Sequence, residues 1–418
     1  MKVPAIFFAL LFSSAIIAQS SISGQVVNAA SGTPLVGASV FINNSQKGTT
    51  TDGGGNFRLD NIGSGRYELI ISNIGFETSV YPFNAAQLPL QVKIELKVKA
   101  QELPNVKLEP YELESWSKWG KTFLQYFIGT TDNAGRCTIL NTDKIHFRYY
   151  RKSNRLVADA DEPILIDNGA LGYLVKYQLE SFEINYEEGT ASFLGYPLFE
   201  DKTKAGKEPS KKVVREREEA YHGSLMHFMY SLYHNRLAEE KFEVVRMIHA
   251  INLEKKSVVA LYSPGGTYYG GSRSSGGTVV ELSGNALRTA SPDSESYYRT
   301  VARQPDYIDS LYTTPITIDS LLIKTEGGYK YIYFDNYLCI TYKGETESHL
   351  YQETTFPGQR WRSGFQRSII SVPSGSQIAI DKVGNYFNPQ DLFTSGYWGW
   401  SEKVAELLPL DYEPGKEN

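Results

Sequence analysis

Side chains able to do chemistry are sparse in this chain, and their spacing argues against the common catalytic sets. The six histidines are His146, His222, His227, His234, His249 and His349. None begins a His-x-x-Glu or His-Glu-x-x-His run, the spacing that puts zinc ligands and a general base on one helix face. His227 and His234 fall on one predicted helix two turns apart, roughly 10 Å by the rise per residue, too far to share a metal. Both lie opposite that helix's apolar stripe and are expected at the solvated surface. Asp159, Asp161 and Glu162 could supply a carboxylate pair for glycoside chemistry or oxygens for calcium, but the Asp-x-Asp-x-Asp-Gly loop is missing and they read as surface acids. No Gly-x-Ser-x-Gly elbow occurs, and neither Cys137 nor Cys339 sits in a cysteine-peptidase signature. The run Gly265 to Gly271 lacks the Lys-Ser or Lys-Thr of a phosphate loop and reads as a flexible connection. Its functional competitor is a binding surface in which Tyr268 and Tyr269, with Trp398 and Trp400, stack on sugar rings or peptide side chains. The expectation is therefore no catalytic set, no metal and no cofactor.

The elements that must position these groups are mainly strands. Among 418 residues, 13% are aromatic, with 29 tyrosines and 20 phenylalanines. Runs such as Tyr329 to Phe334 favour pleated, half-buried strands. A chain of this length divides more naturally into two or three domains than one. The formal charge of −5 offers no electrostatic footprint for nucleic acid. Two cysteines are too few to staple a scaffold. A bridge between Cys137 and Cys339 is open in an oxidising compartment, and so is the alternative that both are small buried hydrophobes.

Met1-Lys2, the apolar run from Val3 to Leu11 and the small residue Ala18 before Gln19 have the layout of a secretory signal peptide over residues 1–18, cut between Ala18 and Gln19. The apolar run is shorter than the ~20 residues needed to span a bilayer, and no later segment is long enough, so no transmembrane segment is expected in the mature chain. The protein is expected in the periplasm, at the outer-membrane periphery or outside the cell.

From residue 19 to 98, short strands alternate with turn chemistry at Ala30 to Pro34 and at Asp52 to Asn56, about seven strands in all, the pattern of a small antiparallel sandwich. The residues that mark it are Ile22 to Val27, Thr33 to Val40, Gly48 to Asp52 with Gly55-Asn56-Phe57, Gly65-Arg66-Tyr67 and Ile74-Gly75-Phe76. In this order they resemble the carboxypeptidase-regulatory-like (transthyretin-like) domain. The resemblance covers about a fifth of the chain and implies an accessory β-sandwich, with Phe57, Tyr67 and Phe76 filling the space between its sheets. Such modules accompany exported peptidases, outer-membrane receptors and surface proteins of the Bacteroidetes type, and imply no peptidase activity here.

Residues 99–110 form a polar linker bearing Pro104 and Pro110. The rest, 111–418, reads as a larger β-rich α+β domain. An amphipathic helix is predicted over about Glu112 to Ile128 and another over Ser224 to Val244, with Ser224 as N-cap. Asp201 to Arg217, mixed in sign, reads as a solvated loop passing into a helix start. Tyr329 to Phe334 and Tyr337 to Tyr342 read as a hairpin about Asp335-Asn336, facing Ile332 toward Cys339. A short helix is expected to dock the aromatics of Gly396 to Trp400. The runs Leu194 to Pro197, Gly223 to Phe228 and Gly396 to Trp398 also resemble exported Bacteroidetes-type proteins whose C-terminal domain has no assigned activity.

These readings favour a non-enzymatic, exported envelope protein that binds or scaffolds, with a cell-envelope protein or glycan as partner. The alternative is an envelope hydrolase acting on peptide or glycan with dispersed catalytic residues, since a triad is a matter of geometry, not spacing. An outer-membrane receptor fragment fits poorly, because the repeated amphipathic strands of a barrel are missing.

Overall fold

The computed structural model describes residues 20–99, 109–203, 207–261, 292–358, 360, 363–387 and 389–415. The signal segment with Ala18 and Gln19, most of the linker, and Tyr268 and Tyr269 lie outside the described residues. The chain forms two compact units, one running to Tyr221 and completed by the residues from Glu402 onward, the other spanning His222–Ser401. The boundary thus falls inside the region that the sequence reads as one domain. Long-range polar contacts return the tail to the first unit: Asn168 Nδ2 donates to Ala405 O, and Leu410 N–H donates to Asn44 O.

The first unit opens with seven short strands, β1 (Ile22–Asn28), β2 (Ser39–Ile42), β3 (Gly48–Thr50), β4 (Asn56–Leu59), β5 (Arg66–Ser72), β6 (Ser79–Asn84) and β7 (Leu90–Leu96). They form two sheets, ordered β4-β1-β7 and β3-β2-β5-β6. The pairing is not wholly antiparallel as expected, because β1 runs parallel to β7, with Ile22 opposite Leu90. Ile22, Val26, Val40, Leu69 and Ile71 are fully buried between the sheets. Phe57 joins that core, and Tyr67 and Phe76 pack against it. The turn before β4 is locally encoded: the Asp52 carboxylate accepts the N–H groups of Gly54 and Asn56. Gly55 sits at φ +73°, where a Cβ would stand 2.6 Å from Val26 O, so glycine is required there.

The unit continues with β8 (Glu112–Glu114), α1 (Trp116–Phe127), β9 (Cys137–Ile139), β10 (Ile145–Tyr150), β11 (Arg155–Ala160), β12 (Ile164–Asn168), β13 (Tyr173–Asn185), β14 (Thr190–Asp201) and α2 (Lys211–Tyr221). The predicted first helix starts later than expected. Glu112 to Glu114 is extended and pairs with β10, and helix begins only after Ser115. The long strand β13 organises the sheet: its first half pairs with β12, its end with β11, and its other edge with β14. Helix α1 lays Phe123 and Phe127 onto this sheet, with ring centroids 4.7 Å from Phe182 and 4.9 Å from Tyr177 respectively. The sandwich is seated on β14, because Asn44 N–H donates to Pro197 O and Phe199 N–H to Ser45 O. Phe41, Ile70 and Leu198 close that seam, with Tyr196 against them. The two β-regions of this unit therefore join at Tyr196 to Phe199, which overlaps only the end of the run Leu194 to Pro197.

The second unit holds α3 (Leu225–Tyr233), β15 (Phe242–Ile251), α4 (Leu253–Leu261), α5 (Pro292–Ala302), β16 (Tyr307–Pro315), β17 (Leu322–Glu326), β18 (Tyr329–Ile332), β19 (Tyr337–Thr346), α6 (His349–Thr355), β20 (Phe365–Ser371), β21 (Ile378–Ile380), β22 (Tyr386–Phe387), β23 (Phe393–Gly396) and α7 (Tyr397–Ser401). Its sheets are ordered β16-β15-β19-β20-β23 and β17-β18-β21-β22. Ser224 caps α3 as expected, its side chain accepting from His227 N–H. The helix nevertheless stops at Tyr233. Asn235 and Lys241 take φ of 55° and 65° and turn the chain into β15. The expected hairpin about Asp335-Asn336 does not form: β18 pairs with β17 and β21, whereas β19 pairs with β15 and β20. Asn336, at φ 62°, carries the chain from one sheet to the other. Cys339 consequently stands opposite Val245 and Ile369, not Ile332.

Candidate functional site

Strand β20 alternates with period two. Gln366, Ser368 and Ile370 are buried, which leaves Phe365, Arg367 and Ile369 on the opposite face. Over that face runs α6, whose first turn is capped by Ser348 Oγ accepting from Leu350 N–H. Between them lies a cavity of about 510 Å³ that also reaches Thr341, Gly364 and Gly396. From α6 and its flanks come Glu347, Tyr351, Gln352 and Phe356, and Arg360 completes the lining. The pocket thus combines aromatic walls, two guanidinium groups and one carboxylate.

Tyr351 forms the inner wall and is only 5% exposed. Its ring packs 5.1 Å from Tyr397 and 5.5 Å from Trp400. Burial raises its phenol above the ordinary range, and nearby Glu347 adds to that. Phe356 and Phe365 are different, being 42% and 50% exposed, so their hydrocarbon faces are available to a ligand. The Glu347 carboxylate accepts from Gln352 Nε2 at 2.9 Å. Among the described residues, no carboxylate lies within ion-pair distance of Arg360 or Arg367.

The residues singled out in the sequence separate. Trp398 is a core residue and not part of a ligand surface. It is 2% exposed, its Nε1–H donates to Gly223 O at 2.7 Å, and its ring lies 5.3 Å from Phe228. Trp400 stands behind Tyr351 in the pocket's aromatic wall. Tyr268 and Tyr269 lie outside the described residues. Cys137 and Cys339 are both free thiols, one in each unit. Burial pushes the Cys137 thiol up to about 12 and raises that of Cys339 as well, so neither carries thiolate at neutral pH.

His227 corrects the expectation of a solvated histidine. It is 2% exposed. Its Nδ1 accepts the Gly223 N–H at 3.1 Å, which places the proton on Nε2, 3.3 Å from Glu240 Oε2. Burial lowers its pKa to about 4 against the pull of Glu240. The signal was in the sequence: Leu225 to Tyr233 is nearly uncharged around its whole circumference, as in a helix covered on all sides. His234 is exposed as expected and meets Lys382 O through Nε2. The runs Gly223 to Phe228 and Gly396 to Trp398 meet here, through Gly223.

Arg217, expected in a solvated stretch, is fully buried. Its Nε donates to Leu171 O at 2.8 Å, it pairs with Asp201 at 2.9 Å, and its guanidinium stacks 4.0 Å over Tyr173. The acids Asp159, Asp161 and Glu162 do not converge on a site. They pair with Arg148, His146 and Lys144 respectively. Among the described residues, no group of three or more His, Cys, Asp or Glu could hold a metal ion, and no helix is long and apolar enough to cross a membrane.

Comparison with known proteins identifies the sandwich: residues 22–108 match the family model of the CarboxypepD_reg-like domain. No curated protein matches the chain. Among solved structures, a type II cohesin–X–dockerin complex of Acetivibrio cellulolyticus is similar with a TM-score of 0.17 and 15% identity, over 27% of this chain and 77% of the other. The Bacillus anthracis TIE protein has a TM-score of 0.17 and 12% identity, over 46% and 32%. A putative membrane-associated protein of unknown function from Bacteroides fragilis has a TM-score of 0.15 and 9% identity, over 86% and 93%. Scores of this size are too low to establish a shared fold.

Proposed function

We propose that this chain, whose first module is a carboxypeptidase-regulatory-like domain, is an exported cell-envelope protein that binds or scaffolds, with the pocket of its second unit as the ligand seat. The observation that carries this reading is the pocket itself. Its volume of about 510 Å³ lies within the range of ~300–1,000 Å³ usual for small-ligand sites, which combine apolar walls with a few placed polar groups. Export is supported by the layout of Met1 to Gln19, and the partner is an envelope peptide or glycan.

Two measurements test the reading. Fractionation with N-terminal sequencing is expected to recover the chain outside the cytoplasm, beginning at Gln19. Recovery from the cytosol with Met1 intact would remove the export claim. Calorimetry of the full chain against envelope peptides and oligosaccharides is expected to find a ligand whose affinity falls at least tenfold in Phe365→Ala, without turnover. Hydrolysis of that ligand would replace binding with the hydrolase reading, and a ligand indifferent to Phe365→Ala would place the seat elsewhere.

A further inference from the structure

The charge of the pocket narrows its ligand. Arg136, Arg148, Arg151, Arg155, Arg217 and Arg236 each lie against an acid. Arg360 and Arg367 instead line the pocket with no such partner among the described residues. A planar guanidinium is shaped to receive a carboxylate through two parallel N–H donors. The single carboxylate in the lining, Glu347, is engaged by Gln352 and would repel a second negative charge on a ligand. One carboxylate, not a polyanion, matches that balance.

Next to the charge the surface is hydrocarbon. Arg367 lies between Phe365 and Ile369 on one face of β20, at a residue spacing of roughly 7 Å along the strand. A ligand seated there presents its carboxylate and an apolar group side by side, as the last residue of a peptide does. A neutral sugar ring would stack on the exposed faces of Phe356 and Phe365 but bring no negative charge to the two guanidinium groups beside them. Strand β20 is paired with β19 on one edge and, from Ser368 to Ser371, with β23 on the other, which leaves only Phe365 to Arg367 without a β23 partner. An edge of three residues is too short for a peptide to bind by strand addition alone, so its terminal residue must supply the recognition.

We infer that this pocket captures the free C-terminal carboxylate of a peptide ending in an apolar residue, with Arg360 and Arg367 holding the carboxylate and Phe356 and Phe365 the side chain. The inference rests on the reading of the second unit as a binding module. The test is fluorescence polarisation of the full chain with labelled Ala-Ala-Ala-Leu, as free acid and as C-terminal amide. The free acid is expected to bind at least tenfold tighter than the amide. Arg367→Gln and Arg360→Gln are each expected to erase that preference with an unchanged thermal melt, since both side chains are exposed. Arg367→Lys is expected to restore part of it, and Phe365→Ala to weaken acid and amide alike. Equal affinities for acid and amide, or a preference that survives both glutamine variants, would overturn the inference. Binding of an oligoglucuronate, lost in Phe365→Ala while neither peptide binds, would also overturn it but leave the binding-module reading standing. No binding by peptide or oligosaccharide would remove both.

Discussion

Arginine is used in opposite ways in the two units. At the corner of β14 and α2, Arg217 is enclosed, with a backbone carbonyl, a carboxylate and an aromatic face around its guanidinium. In the pocket under α6, Arg360 and Arg367 are exposed beside half-exposed phenylalanines. An enclosed ion pair costs desolvation and persists when its geometry is complete. An exposed guanidinium without an acid costs the fold little and leaves its donors for a ligand. Side-chain charge alone therefore says nothing of role, whereas the partners around it do.

This contrast can be broken or sharpened in four ways. The largest effect is expected from Arg217→Ala, which leaves buried Leu171 O without its donor, takes the guanidinium from Asp201 and empties the space over Tyr173, and should cost about 2–3 kcal/mol in urea unfolding. Arg217→Lys should recover little, because an ammonium lacks the planar fork that reaches both Leu171 O and Asp201. A loss below about 1 kcal/mol would show that this corner is not structural.

The next effect depends on pH. The folded pKa of His227, about 4, lies below the ordinary value of about 6.5. The unfolded chain therefore takes up the proton first as pH falls. The stability His227 contributes is complete above about pH 6.5 and is lost progressively toward pH 4. His222, Glu240 and Arg236 are the charged or titrating groups that bear on it. Protonating Nδ1 would also break its bond from Gly223 N–H. The difference in melting temperature between the wild type and His227→Gln should shrink over that window, and a constant difference would exclude His227 as its source.

Smaller still is Trp398→Phe, which removes the donor to Gly223 O and should cost about 1 kcal/mol while leaving ligand affinity intact. A loss of affinity without a loss of stability would return Trp398 to the binding surface. The smallest stability effect is expected for Arg367→Gln, within about 0.5 kcal/mol, although this variant should abolish the preference for a free carboxylate.

Legibility in the sequence followed the range of the interactions. The Asp52 to Asn56 turn and the strands around it are encoded by neighbours a few residues apart, so the sandwich could be read almost strand by strand. The capping of α3 by Ser224 is equally local. The end of α3, the separation of β18 from β19 and the extended start at Glu112 each depend on strands distant in sequence, and local pattern misplaced all three. The pocket left a weaker trace. Trp400 was singled out for its aromatic ring, but Arg360, Arg367 and Phe365 resemble surface residues until α6 is laid across β20.

By itself, then, the sequence determined the sandwich, the predominance of strands, the scarcity of catalytic patterns and the signal-like start, because each is written in composition or short-range spacing. Only the tertiary structure decided that Arg217 and His227 are buried, that Trp398 belongs to the core, that the tail joins the first unit, and that two exposed arginines share one cavity. Those outcomes depend on which groups desolvate one another across the fold, and burial is a property of neighbours that a linear pattern does not name.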